Sequence, residues 1–560
     1  MATKEYSVPR EAEKLLREGI LENPLVAGNL PPGLVEMGTM VRYEGSQLPS
    51  IPVNWRWAES ISALKGFEAT MLNYLLTRKY GISPIEVTIN TDHAALFIMS
   101  PALARIVKQE EGAPFSMDVA RPPESLHRIL ATGIYKARDN RFYHIHGSLN
   151  PDQTLTALSL PLEGPDDDTF ERVINRMQSR VSQFDAEALD ELMNEQYRQA
   201  GTVAWTSDEY FGSVHGQQSG RVGLYELARD PSSSQPAGWW PECSTLPSSP
   251  KRPLAGLKVL DLTRVIAGPT ITRSLAELGA SIMRVTSPHL PDFKNVFHDL
   301  NWGKWNCSLH LKDNDADKEQ LRALILEADV VVDGYRPGVM DRLGFGREAI
   351  FDMVKDRGRG IIHLRENCYG WHGPWAHRSG WQGISDACTG VSLAFGRGMG
   401  VDEAVTPPFP NSDHCTGVIG CVGILHALAE RALHGGNYGV DVALNYYSQW
   451  LVRSCGTYSD DVWQQLWKRH GSPVFRNYDN TRRTVPAMLE LMHRYDEQTM
   501  FDPSFFQECR SAVVGATVRK VRPVARFKDG AVDLSYNVGT RGNGVDKAVW
   551  PDDLTTEILV

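Results

Sequence analysis

The residues best suited to chemistry fall in one fifty-residue window. Glu366 and Asn367 stand just before a Tyr369-Gly370-Trp371-His372-Gly373-Pro374 loop. His363, His372, His377 and His414 crowd the same region, and His144 and His146 lie together earlier in the chain. A glutamate held away from water keeps its proton to higher pH and can then serve as a base near neutrality. Glu366 therefore has two readings: a raised-pKa base, or the partner of Arg365 or Arg378 in an ion pair. Asp413, in Pro410-Asn411-Ser412-Asp413-His414, precedes an apolar helical run and could cap it. The histidines are more simply loop hydrogen-bonders than catalysts, and no third ligand is spaced to complete a metal site.

These loops need a frame. Val259-Leu260-Asp261-Leu262 reads as a buried strand, Arg264 to Pro269 as a turn, Thr270 to Leu278 as a helix stopped by Gly279, and Ser281 to Val285 as a second strand. Strand, turn, helix, strand is the unit of an open parallel sheet, whose ligands bind at the carboxyl ends of the strands, here the 264–269 turn. Neither a GxGxxG nor a Walker A pattern follows the first strand, so an ordinary dinucleotide site and a P-loop are both unsupported.

The chain has 560 residues, 42% hydrophobic and 22% charged, enough for two or three domains. A net charge of −10 with no basic block argues against nucleic acid. No run of eighteen apolar residues suggests a membrane span, and the charged N-terminus lacks the apolar core of a signal peptide. Eight scattered cysteines without a CxxC pair predict reduced thiols in a cytoplasmic protein. Residues 1–55 read as an arm over the surface. An amphipathic helix at Ile61 to Leu75, a strand at Ile85 to Ile89 and a helix at His93 to Ile106 follow. Helix, strand, helix recurs around residues 423–452, with Glu86 to Asn90 falling on Asp441 to Asn445, so 56–105 reads as a diverged copy of the closing element of the larger domain. A hairpin about residues 134–145 and a returning strand at Gly201 to Trp205 place a small domain in 106–230. A Ser/Pro-rich linker spans 231–253, the large domain 254–455, and a helical and strand extension 456–560, with a long helix near Val485 to Tyr495, a strand at Ala516 to Phe527 and an irregular tail.

Five motifs occur in register: Ala267-Gly268-Pro269, the run Leu275 to Val285, Asn301 to Trp305, Ala328 to Gly346, and Tyr369 to Pro374. Together they resemble the class III CoA-transferases (CaiB/BaiF type), which include formyl-CoA and carnitine-CoA transferases and α-methylacyl-CoA racemases. The resemblance implies an α/β fold, with a Rossmann-like large domain, a smaller α+β domain, the active site between them, and an interlocked homodimer. It implies coenzyme A as a substrate, bound near Val265, Ala267, Gly268 and Pro269 with Lys304, Arg336 and Arg342 as phosphate partners, and no metal. In such a transferase a carboxylate attacks the thioester and releases CoA from a mixed anhydride. The position of that carboxylate holds Gln382, a neutral amide better suited to donating a hydrogen bond to a thioester oxygen. Asp413 matches an acid/base residue of the racemases. The expectation is thus an enzyme on an acyl-CoA or related acid that works by proton transfer, isomerisation or dehydration through Gln382, Asp413 and Glu366. The alternatives are CoA transfer with a displaced nucleophile, Asp386 or Glu366, and a non-catalytic CoA-fold protein.

Overall fold

The structure, a computed structural model, describes residues 6–110 and 124–560. Its centre is a seven-stranded sheet. Across it run Lys304–Ser308, Ser281–Thr286, Lys258–Leu262, Val330–Asp333, Ile362–Asn367, Tyr438–Ala443 and Glu226–Arg229. The first six are parallel, and Glu226–Arg229 joins antiparallel at one edge. The six parallel strands are buried almost throughout because both faces are covered, and they carry polar residues such as Asp261, Arg284 and Lys304 into the interior. Strand order reverses about Lys258–Leu262, so the crevice expected at a switch point opens beside the turn that follows it. In that turn Val265 has φ +74°, a left-handed conformation that is costly for a β-branched residue and that turns it towards the crevice.

The helix that follows, Ala267–Glu277, packs on a 24-residue helix, Asn411–His434. Close approach requires Gly417, where a Cβ would meet Thr270 at 2.4 Å. Helix 411–434 is long and apolar enough to cross a membrane by composition, but 83% of its most apolar window is buried inside the fold.

On its other side lies a second 24-residue helix, Trp57–Tyr80, followed by the strand Val87–Asn90 and the helix Thr91–Phe97. Helix, strand, helix thus recurs as Asn411–His434, Tyr438–Ala443 and Leu444–Trp450. Helix 57–80 is buried nearly all round rather than amphipathic. The reason is a correction to the expected surface arm. Residues 6–55 form a helix, Val8–Lys14, and a strand, Val41–Glu44, and bury Val8, Leu16, Ile20 and Val41 against helix 57–80. The helix expected from His93 to Ile106 also ends early. Pro101 begins a separate short helix, Ser100–Leu103, and Arg105–Gln109 is a strand.

The small domain is an antiparallel sheet of Gly133–Lys136, Phe142–Ile145 and Gly201–Val203 with its own core under the helix Phe170–Val181. Part of the 106–230 expectation, residues 111–123, lies outside the described residues. The extension at 456–560 packs into the body of the fold. Ala525–Phe527 pairs with Val87–Ile89, the helix Thr481–Met500 leans on the small domain, and Asn477 donates to the Ile134 carbonyl at 2.8 Å. The irregular tail is held by a buried cluster in which Arg541 pairs with Asp546 at 3.0 Å and with Glu557 at 3.1 Å.

Candidate active site

A cavity of about 700 Å³ lies between the two domains. The large domain contributes the Val265–Ile266 turn, the first residues of the helix Gln382–Cys388, and Phe409, Pro410 and Asp413 at the head of helix 411–434. The small domain contributes His144, His146 and Ser148 just past the hairpin, and helix 481–500 contributes Val485 and Pro486.

The four carboxyl and amide candidates form two ranks. Gln382 and Asp413 line the cavity. Asp386 stands behind Gln382, one turn along the same helix, and accepts a hydrogen bond from its amide nitrogen. Glu366 stands near Asp413, at the end of its strand, beside Gly334 and Thr263.

Asp413 does not cap its helix. The cap is Pro410, and Asp413 is the third helical residue, half-buried and without a hydrogen-bonded or ionic partner among the described residues. Removal from water pushes its carboxyl up to about 7. Glu366 has no ion pair among the described residues either: Arg365 is held by Asp441 at 2.8 Å, and Arg378 by Asp190 at 2.7 Å and Glu195 at 2.9 Å. Burial first, then the nearby Asp413 and Asp333, push Glu366 up to about 8. Asp333 is itself pushed up to about 7 by burial, against the hydrogen bond it accepts from the Tyr335 amide. Burial also holds Asp386 well above the ordinary carboxylate range, against the Gln382 hydrogen bond. With Asp386 protonated, the pair is equally satisfied with the amide turned over, its NH₂ then facing the cavity.

The expected CoA partners separate. Lys304 does not line a groove. It is fully buried and donates to Asp261 and to the Pro269 carbonyl, each at 3.0 Å. Those bonds tie the sheet to the head of helix 267–277, and burial lowers the amine to about 8. Ala267, Gly268 and Pro269 are likewise buried in that helix's first turn, where Gly268 packs on Thr263. Only Val265 of that stretch reaches the cavity, joined by Ile266. Arg336 and Arg342 are exposed, and Arg336 donates to the Arg198 carbonyl at 2.9 Å.

The histidines divide as well. His363 and His414 are core residues, and His372 and His377 pair with Glu226 and Glu195 on the surface. His146 stacks on Trp381 with ring centroids 5.2 Å apart, and Trp381 Nε1 donates to Ser148 Oγ at 3.0 Å. His144 packs against Gly383. Burial lowers its imidazole to about 4, opposed by the Gly383 backbone, and neither ring nitrogen has a well-formed hydrogen bond. Its sequence signal was its place in an alternating strand, which does not say what the side chain faces.

A switch-point crevice closed by a small domain, with CoA-transferase motifs around it, defines the class. The chain belongs to CoA-transferase family III, and the model of that family matches residues 254–476. It is 57% identical, over 100% of its own length and 96% of the other, to an acetyl-coenzyme A transferase, nodX, of Hypoxylon pulicicidum. It is 28% identical to an acyl-CoA transferase of Gibberella moniliformis, covering 93% of this chain and 91% of that one. Among solved structures, a CaiB/BaiF family protein from Brucella suis aligns over 52% of this chain and 96% of that chain at 20% identity, with a TM-score of 0.36. The protein is thus an enzyme of the class III CoA-transferases.

Proposed function

We propose that the protein transfers CoA from an acyl-CoA donor, acetyl-CoA by analogy with the relative in Hypoxylon, to a carboxylic acid, with Asp413 as the attacking carboxylate. The observation that carries this reading is that Asp413 is an unpaired carboxylate opening into the cavity beside the amide at position 382. Racemisation or isomerisation calls for acid and base groups on opposite sides of the reacting carbon. Of Asp413 and Glu366, only Asp413 lines the cavity, which favours transfer.

Ionised Asp413 attacks the thioester carbonyl, the C–S bond breaks, and CoA leaves as thiolate from a mixed anhydride. The thiolate then attacks the Asp413 carbonyl of that anhydride, which releases the donor acid and leaves CoA as an aspartyl thioester. The acceptor carboxylate repeats the sequence in reverse, taking CoA away and restoring Asp413. Gln382 hydrogen-bonds the oxyanion of each tetrahedral centre, with Asp386 behind it orienting the amide. Protonated Glu366 keeps negative charge low behind Asp413, so that one carboxylate rather than two ionises in that corner at neutral pH.

The test is CoA exchange between acetyl-CoA and labelled acetate by Asp413→Asn, with the melting temperature measured on the same protein. Loss of exchange in a folded variant supports the reading. Exchange near the parent's rate would sink it.

A further inference from the structure

Resting on that transferase reading, we infer that the acceptor is a bulky, apolar monocarboxylic acid rather than a small dicarboxylic one. The first observation is charge. A second carboxylate on the substrate needs a cation or a set of donors inside the site. The arginines lining the cavity are Arg128 and Arg482. Arg128 is committed to Asp152 at 2.7 Å and to Glu163, and Arg482 to Glu124 at 2.9 Å. No cation among the described lining residues is left for a dianion, and Asp413, which also lines the cavity, repels one when ionised.

The second observation is the apolar part of the lining. Apart from the Val265–Ile266 turn and the residues at 381–383 and 413, and alongside the polar Thr132, Asn480 and Thr481, the cavity is lined by Ile129, Leu149, Pro151, Val485 and Pro486. These are apolar side chains with no hydrogen-bonding capacity. Water against such side chains is readily displaced by a hydrocarbon surface, and an apolar acceptor gains in proportion to the area it covers. A two-carbon dicarboxylate would reach Asp413 and leave these side chains bare.

The third is origin. All five residues lie outside 254–476, the span that the family shares. The catalytic floor at 381–383 and 413 lies within it. The part of the chain outside that match thus lines the arm of the cavity where an acceptor's body would rest. It is built from two separate segments, which the hydrogen bond from Asn477 to the Ile134 carbonyl holds together.

The experiment incubates the full chain with acetyl-CoA and, one at a time, oxalate, succinate, decanoate and deoxycholate, and measures each new CoA thioester by liquid chromatography and mass spectrometry. Kcat/KM for decanoate or deoxycholate is expected to exceed that for oxalate and succinate by at least 100-fold. In Val485→Trp, and independently in Leu149→Trp, the ratio of large to small acceptor is expected to fall at least tenfold. That ratio is read within one preparation, so a partly unfolded variant still reports it. Oxalate or succinate matching the large acids, or a ratio unmoved by both tryptophans, overturns the inference while leaving CoA transfer in place. Exchange with labelled acetate is run alongside. Its absence in the parent, with no acid converted, would overturn the transferase reading itself.

Discussion

Helices 57–80 and 411–434 open the same kind of helix–strand–helix unit and do different work. Each has 24 residues, is entered through a residue of the same conformation (Arg56 at φ −77°, ψ 62°; Pro410 at φ −76°, ψ 58°), and leads into a strand and another helix. Position by position the parallel continues. The tenth residue is glycine in both, Gly66 against Tyr43 and Gly420 against Ile271, in each case because a Cβ would collide. The third residue is a carboxylate in both, Glu59 and Asp413. There the parallel stops. Glu59 is fully buried and accepts hydrogen bonds from Tyr6 and, at 3.0 Å, from Tyr458, with Arg56 at 3.9 Å. Asp413 has no partner among the described residues and lines a cavity. Burial alone raises the pKa of both, so it does not separate structure from chemistry here. What separates them is whether the surrounding chain supplies donors. Around Glu59 the N-terminal segment and Tyr458 fill the space that is left open beside Asp413.

The largest effect that sharpens this contrast is on activity. Asp413→Asn should lower exchange by roughly 10³-fold or more, since a nucleophile has no substitute. Glu59→Ala should do the opposite. Two tyrosine hydroxyls lose their acceptor, stability falls by about 3 kcal/mol in chemical denaturation, and turnover per folded molecule stays within about twofold. Full activity in the first or dead enzyme in the second would break the comparison. A smaller effect comes from Gln382→Ala, expected to cost turnover on the order of 10²-fold, as for loss of one oxyanion donor.

The pH dependence has two opposed signs. Attack needs ionised Asp413, so kcat/KM should climb as pH rises through about 7. Stability runs the other way. A carboxyl whose pKa is raised by folding contributes stability that is full below its ordinary acidic value and is lost as pH rises through the folded value, about 7 for Asp413 and about 8 for Glu366. Melting temperature should therefore decline between about pH 5 and 8, and Asp413→Asn should decline less and lie at or above the parent at pH 8. A flat profile in the parent, or an identical one in the variant, would contradict this.

The frame was legible because it is written in local signals. The strand at 258–262, the turn, the helix and the strand at 281–286 follow from apolar runs and Gly279, and the repeated element from its alternating strand. What long-range packing decides was not legible. Lys304 carries the charge a phosphate wants, yet Asp261, across the sheet, claims it. Residues 6–55 are proline-rich and mixed, yet cover a helix that would otherwise expose a face. Glu366 and Asp413 were singled out on their residue type and setting, but only the fold tells which of them stands in front. The contribution of Val485 and Pro486 to the cavity, more than three hundred residues beyond His146 and Ser148 in the same lining, has no local signal at all.

The account stands most directly on one trapping measurement. The enzyme is mixed with acetyl-CoA, quenched with hydroxylamine, digested, and mapped by mass spectrometry. Hydroxylamine opens an aspartyl anhydride or thioester and leaves a hydroxamate on the residue that carried it. A hydroxamate on Asp413, absent in Asp413→Asn and absent from Glu59, is the predicted result. A hydroxamate on Glu366 or Asp386 instead, an acyl adduct at Gln382, or steady turnover with no modified residue would contradict the assignment of Asp413 as the nucleophile.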